Sequence, residues 1–132
     1  MGVKDFRELR VYQLAFESAV RIYELTKSFP SEERYSLTDQ IRRSSRSVCA
    51  NIAEAWRRRR YPNHFVSKLS DSDSEAAETT VWLDFSLRFG YIPSNVHKEL
   101  SDDYDHVCSQ LSLMMSEPKR WMPRDDANDS KS

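Results

Sequence analysis

Arginine is the residue whose type and spacing in this chain most directly suggest chemistry. When residues 37–60 are turned at about 100° each, Arg42, Arg43, Arg46, Arg57 and Arg60 fall within roughly a 100° arc, and Arg58 extends the run. Guanidinium groups hold phosphate in bidentate fashion and stack on bases, so a ridge of them along one helix face can track a nucleic-acid backbone. These six are the candidate nucleic-acid-binding residues. Eight arginines lie between Arg34 and Arg60 against only Asp39 and Glu54. Asp71, Asp73, Glu75, Glu78 and Asp84 then follow with no base among them. The alternative use of the ridge is therefore pairing with this acidic run, within one chain or between copies. Exposed ion pairs are weak, and arginines in excess of their partners stay available, those from Arg57 onward sooner than Arg42 or Arg43. Trp56, Tyr61 and Trp121 stand beside basic residues and are the aromatics that could stack on unpaired bases, although a helix-margin packing role suits Trp56 equally.

The remaining reactive side chains form no catalytic pattern. There is no GxSxG, no glycine-rich phosphate loop and no histidine near Ser44, Ser45 and Ser47, which are better suited to letting helices approach closely. Asp103 and His106 have the i, i+3 spacing of bundle metal ligands but no second pair to match, and His64 and His97 fall at helix starts. Asn51 and Glu54 read as a polar contact that fixes helix register or a subunit contact. No enzyme activity, metal or other cofactor is expected. Cys49 and Cys108, far apart and outside any CxxC, read as reduced core cysteines of a cytoplasmic protein. The absence of a signal peptide and of an apolar run near the ~20 residues of a membrane span agrees with that.

Such side chains need elements to hold them. The 132 residues suit one domain, and only Gly2 and Gly90 are glycine, which argues against tight-turned sheets and for long helices. The net charge of −1 gives no global field. Apolar stripes predict helices over 11–28, 37–60, 64–89 and 94–116. The first carries Val11, Leu14, Ala15, Ser18, Ala19, Ile22, Leu25 and Thr26, ended by Pro30. On the second, Leu37, Ile41, Val48, Ile52 and Ala55 oppose the arginines, with Ser36 as a possible N-cap and Pro62 as the stop. Asn63 can cap the third, whose stripe is Phe65, Leu69, Ser72, Ala76, Thr79, Thr80, Leu83 and Leu87, with Gly90 at its C′ position. Val96, Leu100, Tyr104, Val107, Leu111 and Met114 mark the fourth. Short links make this an all-α, antiparallel up-down-up-down four-helix bundle spanning residues 1–116, with Phe6 and Leu9 as an entry hook. Residues 117–132 lack periodicity and are expected to be mostly disordered.

Helices one and three carry more apolar residues than one core requires. Tyr12, Phe16, Val20 and Tyr23 sit about 120° from the first stripe, and Val81, Trp82, Phe85 and Phe89 lie off the third. Left bare they would form a larger apolar patch than monomers usually show, so they are the candidate oligomer interface, and head-to-tail contact would close a ring. The alternatives are a wider core, or cover from residues 1–10 and the tail.

The chain resembles the four helix bundle protein family, also called 23S rRNA intervening-sequence proteins. The resemblance covers roughly residues 6–116 and is strongest in QIRRSSRSVCANIAEA, with Phe29-Pro30, Glu33, Tyr35 and Gly90-Tyr91-Ile92 in support. The family usually has glycine where this chain has Ala55. The resemblance implies a bacterial four-helix bundle that forms a homo-oligomer, commonly a pentamer. A related branch accompanies reverse transcriptases, and there a basic surface is associated with nucleic acid. Two functions follow as expectations: an oligomer that binds RNA or DNA as an accessory factor, or a scaffolding oligomer that binds another protein and no nucleic acid.

Overall fold

Each helix boundary has a local cause. The computed structural model describes residues 2–123, and among them there are four helices and no strand: α1 (Arg10–Thr26), α2 (Leu37–Arg57), α3 (Pro62–Arg88) and α4 (Ser94–Ser116). Short 3-10 turns occupy Phe6–Glu8, Ser31–Glu33 and Pro118–Trp121. The segment expected to be mostly disordered thus begins with a turn, while residues 124–132 lie outside those described.

The Ser36 side chain does not cap α2. Its hydroxyl instead donates to Glu33 Oε1 at 2.7 Å, and the Leu37 N–H points to the same oxygen at 3.4 Å, so the carboxylate takes the capping role. At the other end α2 stops at Arg57, three residues before the predicted limit. Arg58 N–H bonds the Glu54 and Ala55 carbonyls, and Arg58–Arg60 form the turn that Pro62 requires. Pro62 then opens α3 rather than preceding it. Its missing N–H is one the first turn leaves unbonded anyway, and Asn63 falls inside the helix instead of capping it. At the far end of α3, Gly90 adopts φ +77°. Its N–H bonds the Leu87 carbonyl at 2.9 Å while the Tyr91 N–H bonds Ser86 at 2.8 Å, the paired closure of a Schellman turn.

The helices are neighbours in the order α1–α2–α3–α4–α1. Between them Ile22, Ile41, Val48, Ile52, Phe65, Leu69, Leu83, Leu100, Tyr104, Val107 and Leu111 are buried almost completely. The predicted stripes supply this core, with Leu14, Ala19, Leu25, Thr80, Leu87 and Val96 only half-buried at its edges.

The α2–α3 contact differs in chemistry from the rest. Ser44, Ser72, Ala76 and Thr79 are all buried there, and small side chains let the two backbones approach. The Ser72 hydroxyl donates to the Val48 carbonyl at 2.8 Å, and the Thr79 and Ser44 hydroxyls lie 2.8 Å apart. Lys68 and Glu54 pair at 2.8 Å near one end. Residue numbers rise along α2 as their partners fall along α3. At the end of the bundle holding the α1–α2 and α3–α4 links, the Tyr91 phenol donates to Glu33 Oε2 at 2.9 Å and its ring lies 5.2 Å from Phe29.

Candidate nucleic-acid interface and apolar faces

The arginine ridge divides into two halves of different character. In the first half the guanidinium groups are engaged. Arg42 Nε donates to Thr26 Oγ1 at 2.8 Å, with its guanidinium 4.7 Å from the Tyr23 ring centroid. Arg43 pairs with Glu75 at 3.3 Å and with Glu78, so part of the acidic run on α3 is spent on it. Arg46 is exposed and also lies over Tyr23, at 5.8 Å.

The second half opens onto the end of the bundle. Arg57 and Arg58 are exposed and make no side-chain hydrogen bond or ion pair among the described residues. A recess of about 610 Å³ is lined by Lys4, Asp5, Phe6, Arg7, Trp56, Arg57, Arg59, Arg60, Tyr61 and Pro123. A second, of about 750 Å³, shares Lys4, Trp56, Arg59 and Pro123 and adds Lys119, Arg120, Trp121 and Met122. Arg59 divides them. Its guanidinium lies 4.0 Å from the buried Trp56 ring and donates to the Trp56 carbonyl at 2.8 Å, which also satisfies the end of α2. Burial, and then the charge of Arg57, lower the pKa of Arg59 from its ordinary value, so its cation is disfavoured where it stands. Trp121 meets Trp56 edge-on at 6.2 Å, and Tyr61 remains largely exposed.

Sequence reasoning singled out Arg57, Arg58, Arg60, Trp56, Tyr61 and Trp121 but passed over Arg59, Lys4, Arg7 and Arg120 as site residues. Arg59 projects away from the ridge arc at about 100° per residue, so the helical projection left it out. The i, i+3 spacing of Trp56 and Arg59 was the available clue. Lys4, Arg7 and Arg120 arrive from segments remote in sequence, and periodicity carries no information on that.

The other side chains considered for chemistry are dispersed. Among the described residues no three His, Cys, Asp or Glu gather where they could hold a metal, and His106 is exposed. His97 Nε2 lies 2.8 Å from Asp84 Oδ1. Ser44 belongs to the α2–α3 contact, the buried Ser45 hydroxyl donates to the Arg42 carbonyl at 3.2 Å within α2, and Ser47 accepts through its carbonyl from Asn51 Nδ2 at 3.0 Å. Asn51 thus bonds within its own helix, and Glu54 reaches α3 without it. Burial pushes the Cys49 thiol up to about 11 and that of Cys108 to about 12, which leaves both as poor nucleophiles.

Both surplus apolar sets lie on the surface. On α1, Phe16, Val20 and Tyr23 are exposed and Tyr12 half-buried, around a shallow recess of about 480 Å³ that also takes in Ala19, Arg46 and Cys49. Phe6 covers only the Tyr12 end, edge-on at 5.0 Å. On α3, Val81, Phe85 and Phe89 are exposed beside half-buried Trp82, and the Trp82, Phe85 and Phe89 rings succeed one another at 6.1 and 5.8 Å. Trp121, the tail aromatic, is occupied at Trp56.

A family model described as 23S rRNA-intervening sequence protein matches residues 7–113 of the chain. The chain is also similar to a crystal structure of a protein with unknown function from the S23 ribosomal protein family of Bacteroides thetaiotaomicron. The two share 31% identity and superpose with a TM-score of 0.72 over 80% of this chain and 95% of the other. No curated protein matches the chain.

Proposed function

The chain belongs to the 23S rRNA-intervening sequence protein family, and from that premise we propose that it is a non-enzymatic, cytoplasmic accessory protein that binds RNA or DNA as a homo-oligomer. The observation that carries the reading is the contrast along α2. Arg42 is held by Thr26 and Tyr23 of α1 and Arg43 pairs on the surface with Glu75 and Glu78 of α3, whereas Arg57 and Arg58 stand exposed and unpaired among the described residues, beside two recesses lined with further cations. Cations held without acidic partners are what a phosphate backbone needs, and their counterion release makes binding fall steeply with salt. The opposed numbering of the α2–α3 contacts supports an antiparallel up-down-up-down order, and the bare faces of α1 and α3 support a ring, for which the family resemblance suggests five copies.

The test is binding of RNA and DNA across a salt series, with Arg57, Arg58 and Arg60 changed together to Glu. Binding in low salt should weaken as salt rises, by roughly one unit of log–log slope for each phosphate contact made. The triple variant should keep its helicity and lose binding; undiminished binding would rule these arginines out. A second reading, a scaffolding oligomer for another protein, is favoured by the apolar faces. Absence of binding to nucleic acid even at low salt would select it.

A further inference from the structure

We propose that the two recesses flanking Arg59 act as one groove for a single-stranded nucleic-acid segment, with an unpaired base stacked on Tyr61. This rests on the nucleic-acid reading above and specifies its ligand. The recesses share Lys4, Trp56, Arg59 and Pro123, so they are two reaches of one depression, with the Arg59–Trp56 stack as its saddle. Its cations converge from three places: Lys4 and Arg7 from the N-terminal segment, Arg57 and Arg59 from the end of α2, and Arg120 from the turn after α4. Cations set around a depression suit a flexible strand laid into it, whereas the straight ridge that could follow a duplex is interrupted where Arg42 is held by Thr26 and Tyr23 of α1.

Tyr61 decides between the two. It lines the first recess, is 57% exposed, and has His64 as a ring neighbour at 5.6 Å. An exposed aromatic in a cationic depression can stack on a base only where the base is unpaired, because a duplex keeps its base faces covered. Two of the cations make only local contacts on the surface, Arg7 with Asp5 at 3.2 Å and with the Phe6 ring at 4.4 Å, and Arg120 with Glu117 at 3.1 Å. Such exposed pairs are weak and can be exchanged for phosphate. Arg59, whose charge is disfavoured by burial and by Arg57, gains from an arriving anion.

Fluorescence anisotropy on the full chain provides the test, using a labelled oligouridylate of about 12 nucleotides, a duplex RNA of the same length and a polyglutamate peptide at equal low salt. The single strand should bind at least tenfold more tightly than the duplex. Tyr61→Ala should weaken it by roughly 5- to 150-fold, the range that loss of one base–aromatic stack gives. Tyr61→Phe should retain binding, and the duplex affinity should not respond to either change. Circular dichroism of each variant reports the fold separately. Equal or tighter binding of duplex, indifference of the single strand to Tyr61→Ala, or binding of polyglutamate as tight as the single strand would each overturn the groove, with nucleic-acid binding itself still standing. Failure of both RNAs to bind would overturn the functional reading and the groove with it.

Discussion

Truncating Phe85 tests whether the α3 face is an assembly surface. Phe85 is 45% exposed and Phe89 52%. An aromatic side chain offers about 150–250 Å², so Phe85 leaves roughly 100 Å² uncovered, worth about 2–3 kcal/mol at about 25 cal/mol per Å². Phe16, Val20, Tyr23, Val81 and Phe89 are exposed to similar extents. Together the six amount to about 10–15 kcal/mol when one α1 face meets one α3 face. Association itself costs about 4–15 kcal/mol, so the balance is close and a single truncation should register. Phe85→Ala should raise the concentration at which copies associate by roughly 30-fold, the equivalent of about 2 kcal/mol. Trp82→Glu with Phe85→Glu should abolish association, because the contact would then bury unpaired charge. Leu113→Ala is the control, since Leu113 on α4 is 71% exposed but belongs to neither face. Sedimentation velocity at micromolar concentrations should show the unmodified chain and Leu113→Ala at several times 15.5 kDa, and the double variant at 15.5 kDa. A monomeric unmodified chain, or a Phe85→Ala variant indistinguishable from Leu113→Ala, would refute the reasoning.

Two further outcomes concern the bundle itself. A Cβ on Gly90 would meet nothing within 4 Å, so Gly90→Ala should cost only the left-handed backbone penalty of about 1–2 kcal/mol. That lowers the urea midpoint by roughly 1 M, and an unchanged midpoint would exclude the left-handed turn. Glu33 sits below its ordinary 4.5 chiefly because the Ser36 hydroxyl bonds it, against the raising effect of burial and with help from Tyr91 and the Leu37 N–H. A lowered folded pKa contributes stability that is complete above the unfolded value and lost as pH falls through the folded one. The stability of Glu33→Gln should therefore fall short of the unmodified chain near pH 7, and the two should converge as pH falls below the ordinary carboxylate range; a gap that persists at low pH would mean the charge is not what matters.

The helices were legible because each repeats its apolar residues at threes and fours, and burial at Ile41, Val48, Ile52, Phe65, Leu69 and Leu83 follows that repeat. Their ends were less so. Ser36 has the identity of a cap, yet Glu33 from the preceding turn holds the position, since a carboxylate reaching forward competes well for the first N–H groups. Arginine chemistry could be foreseen at α2, but the division between engaged Arg42 and Arg43 and exposed Arg57 and Arg58 depends on what α1 and α3 place opposite them. The recesses were visible only in fragments, as Trp56, Tyr61 and Trp121, because their walls come from three separate segments.

The hydroxyl-lined contact between α2 and α3 works as a gauge of alignment. Each of its bonds is modest, and leucines in their place would adhere as well. But leucine tolerates a slip, and these groups do not. A displacement of one turn, about 5.4 Å, would part Thr79 from Ser44, Ser72 from the Val48 carbonyl and Lys68 from Glu54 in a single step. A slip would take from the buried Ser72 hydroxyl its acceptor on α2, while Thr79 and Ser44 would keep only the carbonyls of their own helices, so the pair of helices favours one height. That height is also what sets Trp82, Phe85 and Phe89 at a defined level relative to Phe16 and Val20 across α2. Copies of the chain that are to meet face to face must all carry the same offset, and two buried hydroxyl contacts with one surface ion pair keep the measure.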